Sequence, residues 1–197
     1  GYLGSTRQIA YVRDIFATLG TSRSLRIVDP AMADNGTLYP AFDQAYVEEM
    51  KHLCRDADII LPNITEGCFL TGMEYRAQYD RDYVDSLLQA LAGEGAKTVV
   101  LTGVGYDAAT TGVVVYSQGH SDYYPHRRIA QGCHGTGDVY AAAFTGALLQ
   151  GSSTFDAAKI AADYTVACIE VTQEDPQHWY GVKFEKMLPA LLRQLHP

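Results

Sequence analysis

Cysteine is scarce in this chain of 197 residues, and the little there is does not cluster. Cys54, Cys68, Cys133 and Cys168 lie far apart. No two stand at C-x-x-C spacing and no His/Cys group has zinc-site spacing, which excludes a disulfide framework and a structural zinc module. Reduced thiols in a cytoplasmic protein are the expectation. Positive charge is also short. Against 23 Asp and Glu there are 15 Lys and Arg, for a net charge of -8 and a pI of about 5.1. An acidic surface attracts neither a nucleic-acid backbone nor an anionic membrane, so neither is expected as a partner, although a local basic pocket for a phosphate ligand stays open. Long hydrophobic runs are missing too. The uncharged stretch from Val139 to Phe155 is broken by Gln150-Gly151-Ser152-Ser153, and reads as a buried helix followed by a turn. There is no Walker A motif and no protein-kinase glycine loop.

What the chain does have is core: 47% hydrophobic residues, enough for one sizeable α/β domain. Ser5 and Gln8 form a capping-box pattern ahead of Ile9, Val12, Ile15, Phe16 and Leu19 at helical spacing. Leu25–Val28 is a short strand stopped by Asp29-Pro30, and a loop with Asp34-Asn35-Gly36 follows. A helix is expected from about Asp43 to Cys54, a buried strand at Ile59–Leu61, a helix from Asn63 to about Leu70, and another from Arg81 to Ala92. Val99–Thr102 is the next buried strand. Gly112–Tyr116 and Asp122–Ile129 read as paired strands turning near Gly119. The last third is helical, at about Gly137–Leu149, Thr154–Val171 and Gly181–Leu195. Buried strands alternating with helices predict a mostly parallel sheet covered on both faces, with ligands at the carboxyl ends of its strands. With no repeat, low-complexity segment or linker, a single domain over 1–197 is the expectation.

The chemistry-bearing residues fall at those strand ends and at one glycine turn. In Gln131-Gly132-Cys133-His134-Gly135-Thr136-Gly137-Asp138, glycines precede an apolar helix. Backbone N–H groups can converge there, and the helix dipole favours an anion such as phosphate. Asp138 sets a carboxylate beside that anion hole, where it could take a proton from an attacking hydroxyl. The same residues also make a plain tight turn with an acid in the first helical turn. Asn63 and Glu66 are spaced as a capping box, which needs no function, but they also stand where Glu66 could orient metal-bound water and Asn63 could meet phosphate. Asp29 and Asp34 suit either turn chemistry or a metal–nucleotide site. Thr102 offers a hydroxyl at a strand end, and Tyr2 a ring for an aromatic ligand.

Taken in order, these motifs resemble the ribokinase-like superfamily and, within it, the pyridoxal (vitamin B6) kinases. Gly1-Tyr2-Leu3-Gly4-Ser5 resembles the family's substrate-side segment, and Asp29-Pro30-Ala31-Met32-Ala33-Asp34 its Asp-Pro-Val-Met-Gly-Asp motif. Leu61-Pro62-Asn63-Ile64-Thr65-Glu66 resembles Thr-Pro-Asn-x-x-Glu, and Gly135–Asp138 is the Gly-Thr-Gly-Asp signature. The resemblance implies a three-layer α/β/α fold with a mostly parallel central sheet. It implies ATP-dependent phosphorylation of the 5′-hydroxymethyl group of pyridoxal, pyridoxine or pyridoxamine, in pyridoxal 5′-phosphate salvage. Asp138 would be the base, and the amides of Gly135, Thr136 and Gly137 would stabilise the transferring phosphoryl group. Asn63, Thr102, Thr136 and Glu66 would serve ATP and its phosphates. Asp29, Asp34 and Glu66 would serve Mg2+, and Tyr2 the pyridine ring. A monovalent cation such as K+ and a homodimer are implied as well.

Departures from the pattern are Leu61 for Thr, which leaves only a carbonyl for a cation, and Ala31 and Ala33 for Val and Gly. The family's first strands and flap, which precede the Gly-Tyr segment, have no counterpart in this sequence, so a fragment of a longer kinase is expected. A neighbouring resemblance is to the hydroxymethylpyrimidine kinases of thiamine synthesis, which usually carry Cys where Asp138 stands. A non-catalytic nucleotide-binding remnant is the third alternative.

Overall fold

The computed structural model describes residues 1–129 and 133–195. Its elements, in chain order, are α1 (Thr6–Leu19), β1 (Ile27–Val28), β2 (Ala33–Asp34), β3 (Thr37–Leu38), α2 (Gln44–Arg55), β4 (Ile59–Ile60), α3 (Ile64–Thr71) and α4 (Arg81–Gly93). There follow β5 (Thr98–Thr102), β6 (Thr110–Ser117), β7 (His120–Arg127), α5 (Thr136–Leu149), α6 (Thr154–Gln173), a short 3-10 turn (Phe184–Met187) and α7 (Leu188–Leu195). This is a mixed α/β fold on a five-stranded sheet of order β1-β4-β5-β6-β7, with β1, β4 and β5 parallel. Two compact units divide the chain, Gly1–Tyr106 with Val114–Asp122, and Asp107–Val113 with Tyr123–Pro197.

In the first unit the parallel strands are buried on both faces. Val99, Val100 and Leu101 are wholly enclosed, as continuous apolar runs of a helix-covered sheet should be. Met50 and Leu53 of α2 and Leu87, Leu88 and Leu91 of α4 are buried too. Side chains cap every helix here: Ser5, Asp43, Asn63 and Asp80 each accept a backbone N–H of the first turn.

The first strand is shorter than expected. It starts at Ile27 rather than Leu25, because the Arg26 N–H donates to the Asp58 carboxylate (2.9 Å) and the Arg26 carbonyl already accepts from Asp58 and Ile59. The expected loop at Asp34–Gly36 is a β-hairpin instead. Ala33 pairs with Leu38 and Asp34 with Thr37, and the turn residues Asn35 (φ 50°) and Gly36 (φ 79°) are both left-handed. Asn-Gly is the residue pair such a turn demands, and it went unread because the flanking segments are too short to alternate.

The second unit centres on α5 and α6, which meet through small side chains. Ala143, Ala147, Ala157, Ala158, Ala161 and Ala162 are all buried, so the helices approach closely. Tyr140 stacks on Phe144 beside them. The expected helix from Gly181 is divided into the 3-10 turn and α7, whose second residue is Pro189. Proline lacks an N–H and fits only a helix's first turn, so it marks a fresh start. Strand β7 carries Pro125, as the outermost strand of the sheet can. Among the described residues no helix is long and apolar enough to cross a membrane.

Gly112 of β6 lies against β7 with no room for a side chain. A Cβ there would stand 2.2 Å from the Tyr124 carbonyl oxygen and 3.0 Å from Pro125 Cα. Both are backbone atoms that cannot swing away, so Gly112→Ala should cost about 1–3 kcal/mol and lower the melting temperature by about 2–12 °C. Differential scanning calorimetry of the variant checks this.

Candidate active site

In the first unit the candidate residues gather where β1, β4 and β5 end, and the first turn of α3 organises them. The capping box is complete. Asn63 Oδ1 accepts from the Glu66 N–H at 2.9 Å, and Glu66 Oε2 accepts from the Asn63 N–H at 2.8 Å. The box does more than start a helix. Glu66 Oε1 accepts from the Met32 N–H (3.1 Å), Asn63 Nδ2 donates to the Ala33 carbonyl (2.9 Å), and Thr65 Oγ1 accepts from the Gly36 N–H (3.1 Å). Three side chains of one helical turn thus clamp the β2–β3 hairpin, and an Asn35–Gly36 turn that could otherwise flex is fixed. Thr65 escaped the sequence reading because nothing in the pattern Asn-x-x-Glu marks the intervening residue.

Glu66 is only 3% exposed, and its carboxyl group carries the strongest electrostatic tension in the site. Burial penalises its charged form and pushes its pKa up to about 8, and the nearby Asp29 carboxylate pushes the same way. The backbone N–H groups of Asn63, Met32 and Ala33 favour the anion, but burial outweighs them.

The other expected residues are placed as follows. Asp29 ends β1 with a side chain 13% exposed, close enough to Glu66 to act on it. Asp34 is exposed and turned to its own hairpin, where its carboxylate accepts from the Asn35 N–H and side-chain amide at 2.9 and 3.0 Å. The three carboxylates expected at a metal therefore do not converge. Among the described residues no group of three or more His, Cys, Asp or Glu side chains is set to hold a metal ion. Set apart in this way, Asp29, Asp34 and Glu66 do not form a protein-held metal cage. Thr102 closes β5, bridging to Asn63 through the backbone and donating its N–H to the Pro62 carbonyl (2.9 Å). The next residue, Gly103, is left-handed (φ 73°), and the Gly105 N–H donates to the Tyr79 hydroxyl at 3.1 Å. Tyr79, which fixes this loop, also went unread. Tyr2 stands half-exposed at the start of the chain, its ring against Phe42.

In the second unit, Gly135 is the N-cap of α5 in a left-handed conformation (φ 82°, ψ 5°), and no side chain caps the helix. Gln131 and Gly132, the lead-in of the expected glycine turn, lie outside the described residues. This end contrasts with α1, α2, α3, α4 and α6, each capped by an Ser, Asp or Asn side chain. The first amides of α5, at Thr136, Gly137 and Asp138, are thus not taken by a capping side chain. Gly137 and Asp138 are exposed in that first turn. Among the described residues no capping side chain takes the first N–H groups of this 14-residue helix, whose positive end attracts negative charge.

Residues 1–182 match the protein-family model described as phosphomethylpyrimidine kinase. The hydroxymethylpyrimidine/phosphomethylpyrimidine kinase of Haemophilus influenzae is 30% identical over 177 residues, covering 86% of this chain and 63% of that one. A crystal structure described as a phosphomethylpyrimidine kinase from Bacteroides thetaiotaomicron, in a form with pyridoxal, is 34% identical with a TM-score of 0.89, over 97% of this chain and 68% of that one. The pyridoxal kinase of Lactobacillus plantarum is 32% identical with a TM-score of 0.87, over 98% of this chain and 69% of that one. The chain spans between 53% and 63% of the length of the curated relatives it matches.

The buried carboxyl predicts a pH signature. Unfolded, Glu66 titrates near 4.5; folded, it keeps its proton to about 8. The folded state therefore binds the proton more tightly, so this group's stabilising contribution is full below pH 4.5 and is lost as pH rises through 8. Glu66→Gln should be less stable than wild type at pH 5, since its amide nitrogen cannot accept an N–H, and its stability should fall less steeply between pH 5 and 8.5. Urea denaturation across that range measures both.

Proposed function

The chain belongs to the phosphomethylpyrimidine kinase family, and from that membership we propose that it transfers the γ-phosphoryl group of ATP to the 5′-hydroxymethyl group of pyridoxal, pyridoxine or pyridoxamine. The observation that carries this reading is the α5 N-terminus. Five other helices take a side-chain cap, whereas this one has a left-handed glycine and, in its first turn, an exposed aspartate. An anion site and a base side by side are what phosphoryl transfer to an alcohol requires.

In this mechanism the amides of Thr136 and Gly137, together with that of Gly135, receive the charge that develops on the phosphoryl oxygens. Asp138 accepts the proton of the attacking hydroxymethyl group, which raises the nucleophilicity of its oxygen as the P–O bond forms. Uncapped amides already oriented toward the anion need no reorganisation as charge builds up. Asn63 and Thr102 serve the nucleotide phosphates, while Glu66, through Met32 and Asn63, fixes the hairpin and strand end that carry them. Mg2+ carried by the nucleotide would supply charge neutralisation at its phosphates, since Asp29, Asp34 and Glu66 form no cage of their own. The reading extends to a cytoplasmic homodimer acting in pyridoxal 5′-phosphate salvage.

A second reading keeps the chemistry and changes the ring, to a hydroxymethylpyrimidine. The family description and the Haemophilus relative favour it. Asp138 favours the pyridine substrates, because the pyrimidine kinases that this chain resembles usually have Cys at that position.

In the full-length protein, Asp138→Asn should lower kcat about 100- to 10,000-fold while the Kd for ATP changes by less than about threefold, since the base is lost and the amides stay. Coupled-assay kinetics and nucleotide titration check this, and unchanged turnover would remove Asp138 from its role. A thermal-shift panel of pyridoxal, pyridoxamine and hydroxymethylpyrimidine should show the larger stabilisation with the pyridines. Preferential stabilisation by the pyrimidine selects the second reading.

A further inference from the structure

Three rings of the first unit form a graded series of contacts that ends on Tyr2. Tyr46, on the buried face of α2, is 3% exposed and lies under Phe42 with centroids 3.8 Å apart and planes 12° from parallel. Phe42, 9% exposed, faces Tyr2 at 5.1 Å and 34°. Tyr2 itself is 55% exposed. The stack thus runs outward from the core and ends on an aromatic surface open to solvent. Its innermost member is also tied to the backbone that carries its outermost: Tyr46 Oη donates to the Leu3 carbonyl at 2.7 Å, one residue beyond Tyr2. On the far side of Leu3, the Gly4 N–H donates to Gln8 Oε1 and Ser5 caps α1.

A half-exposed tyrosine in a loop would ordinarily sample several rotamers, and ordering it on ligand binding would cost affinity. Here Phe42 lies against one side of the ring, tilted by 34°, and the backbone next to it is pinned. We infer that Phe42 and Tyr46 are positioning residues that preorganise Tyr2, so that its outer face receives the planar heteroaromatic ring of the substrate as the next member of the stack. The inference rests on the kinase reading only for the identity of that ring. Tyr46 acts at a distance, through one hydrogen bond and one ring contact. Its chemistry explains why this helix position holds Tyr and not Phe: the ring alone would fill the core, and only the hydroxyl reaches Leu3.

The test is a double-mutant cycle read by calorimetric binding of pyridoxine, which lacks the aldehyde that would react with lysines, to the full-length protein without nucleotide. Tyr46→Phe keeps the ring and removes the hydrogen bond; it should weaken pyridoxine about 3- to 10-fold and leave the Kd for ATP unchanged. Phe42→Leu should do the same by removing the middle ring. Tyr2→Phe should bind nearly as wild type, and Tyr2→Leu should weaken binding. In the Tyr2→Leu background, adding Tyr46→Phe should have no further effect, because its action passes through Tyr2. Additive losses, an equal loss of ATP affinity, an unchanged pyridoxine Kd in Tyr46→Phe, or no binding of pyridoxine by the wild type would each overturn the inference. Binding that follows the cycle in a protein with no turnover would uphold the stack and reject the kinase reading. Turnover without the coupling would do the reverse.

Discussion

A carboxyl group that is nearly enclosed, accepts two backbone N–H groups from different parts of the chain and lies near a second carboxylate is an expensive thing to build. Glu66 is that group. Its cost is offset because the two amides it satisfies, at Met32 and Asn63, would otherwise be hard to partner: the first leads into a two-residue strand and the second opens a helix. From this one side chain the rest of the first unit's strand-end region follows. Asn63 is fixed and can hold Ala33; α3 begins at a defined point, so Thr65 meets Gly36; and β2 and β3, too short to stand alone, are held in register.

The two candidate halves solve opposite problems. In the first unit, polar groups are saturated: helix starts are capped, the carboxylates of Asp34 and Glu66 are engaged, and Tyr79 ties down the Gly103–Gly105 loop. In the second, the α5 N-terminus carries no side-chain cap. Saturation yields rigid supports, whereas uncapped amides at a helix start leave a positive end that can attract an anion. The aromatic stack behind Tyr2 is a further case of the first kind, rigidity placed beneath a surface that has to receive a ring.

Capping is where sequence and structure agree most closely. The Asn63/Glu66 box was visible from spacing alone because its chemistry is local, three residues apart on one turn. That locality also left two meanings open, a helix start or a phosphate and metal site. The structure adds that the carboxyl is buried and accepts two N–H groups, so the box also acts as a support. Among the described residues the expected grouping of Asp29, Asp34 and Glu66 is not found, and Asp34's exposed carboxylate accepts from Asn35 instead.

By itself the sequence determined the alternation of helices and buried strands, the mostly parallel sheet, the starts of α1 to α6 and the glycine at the head of α5. All are set by patterns within a few residues, through side-chain periodicity, caps and glycine's access to positive φ. Only the tertiary structure decided that Thr65 holds Gly36, that Tyr46 reaches Leu3 across 43 residues, that Asp58 takes over the amide of Arg26, and that burial lifts Glu66 to about 8. Each of these joins residues far apart in the chain, and a buried group's energy depends on which distant atoms displace its water. No window of sequence contains that information.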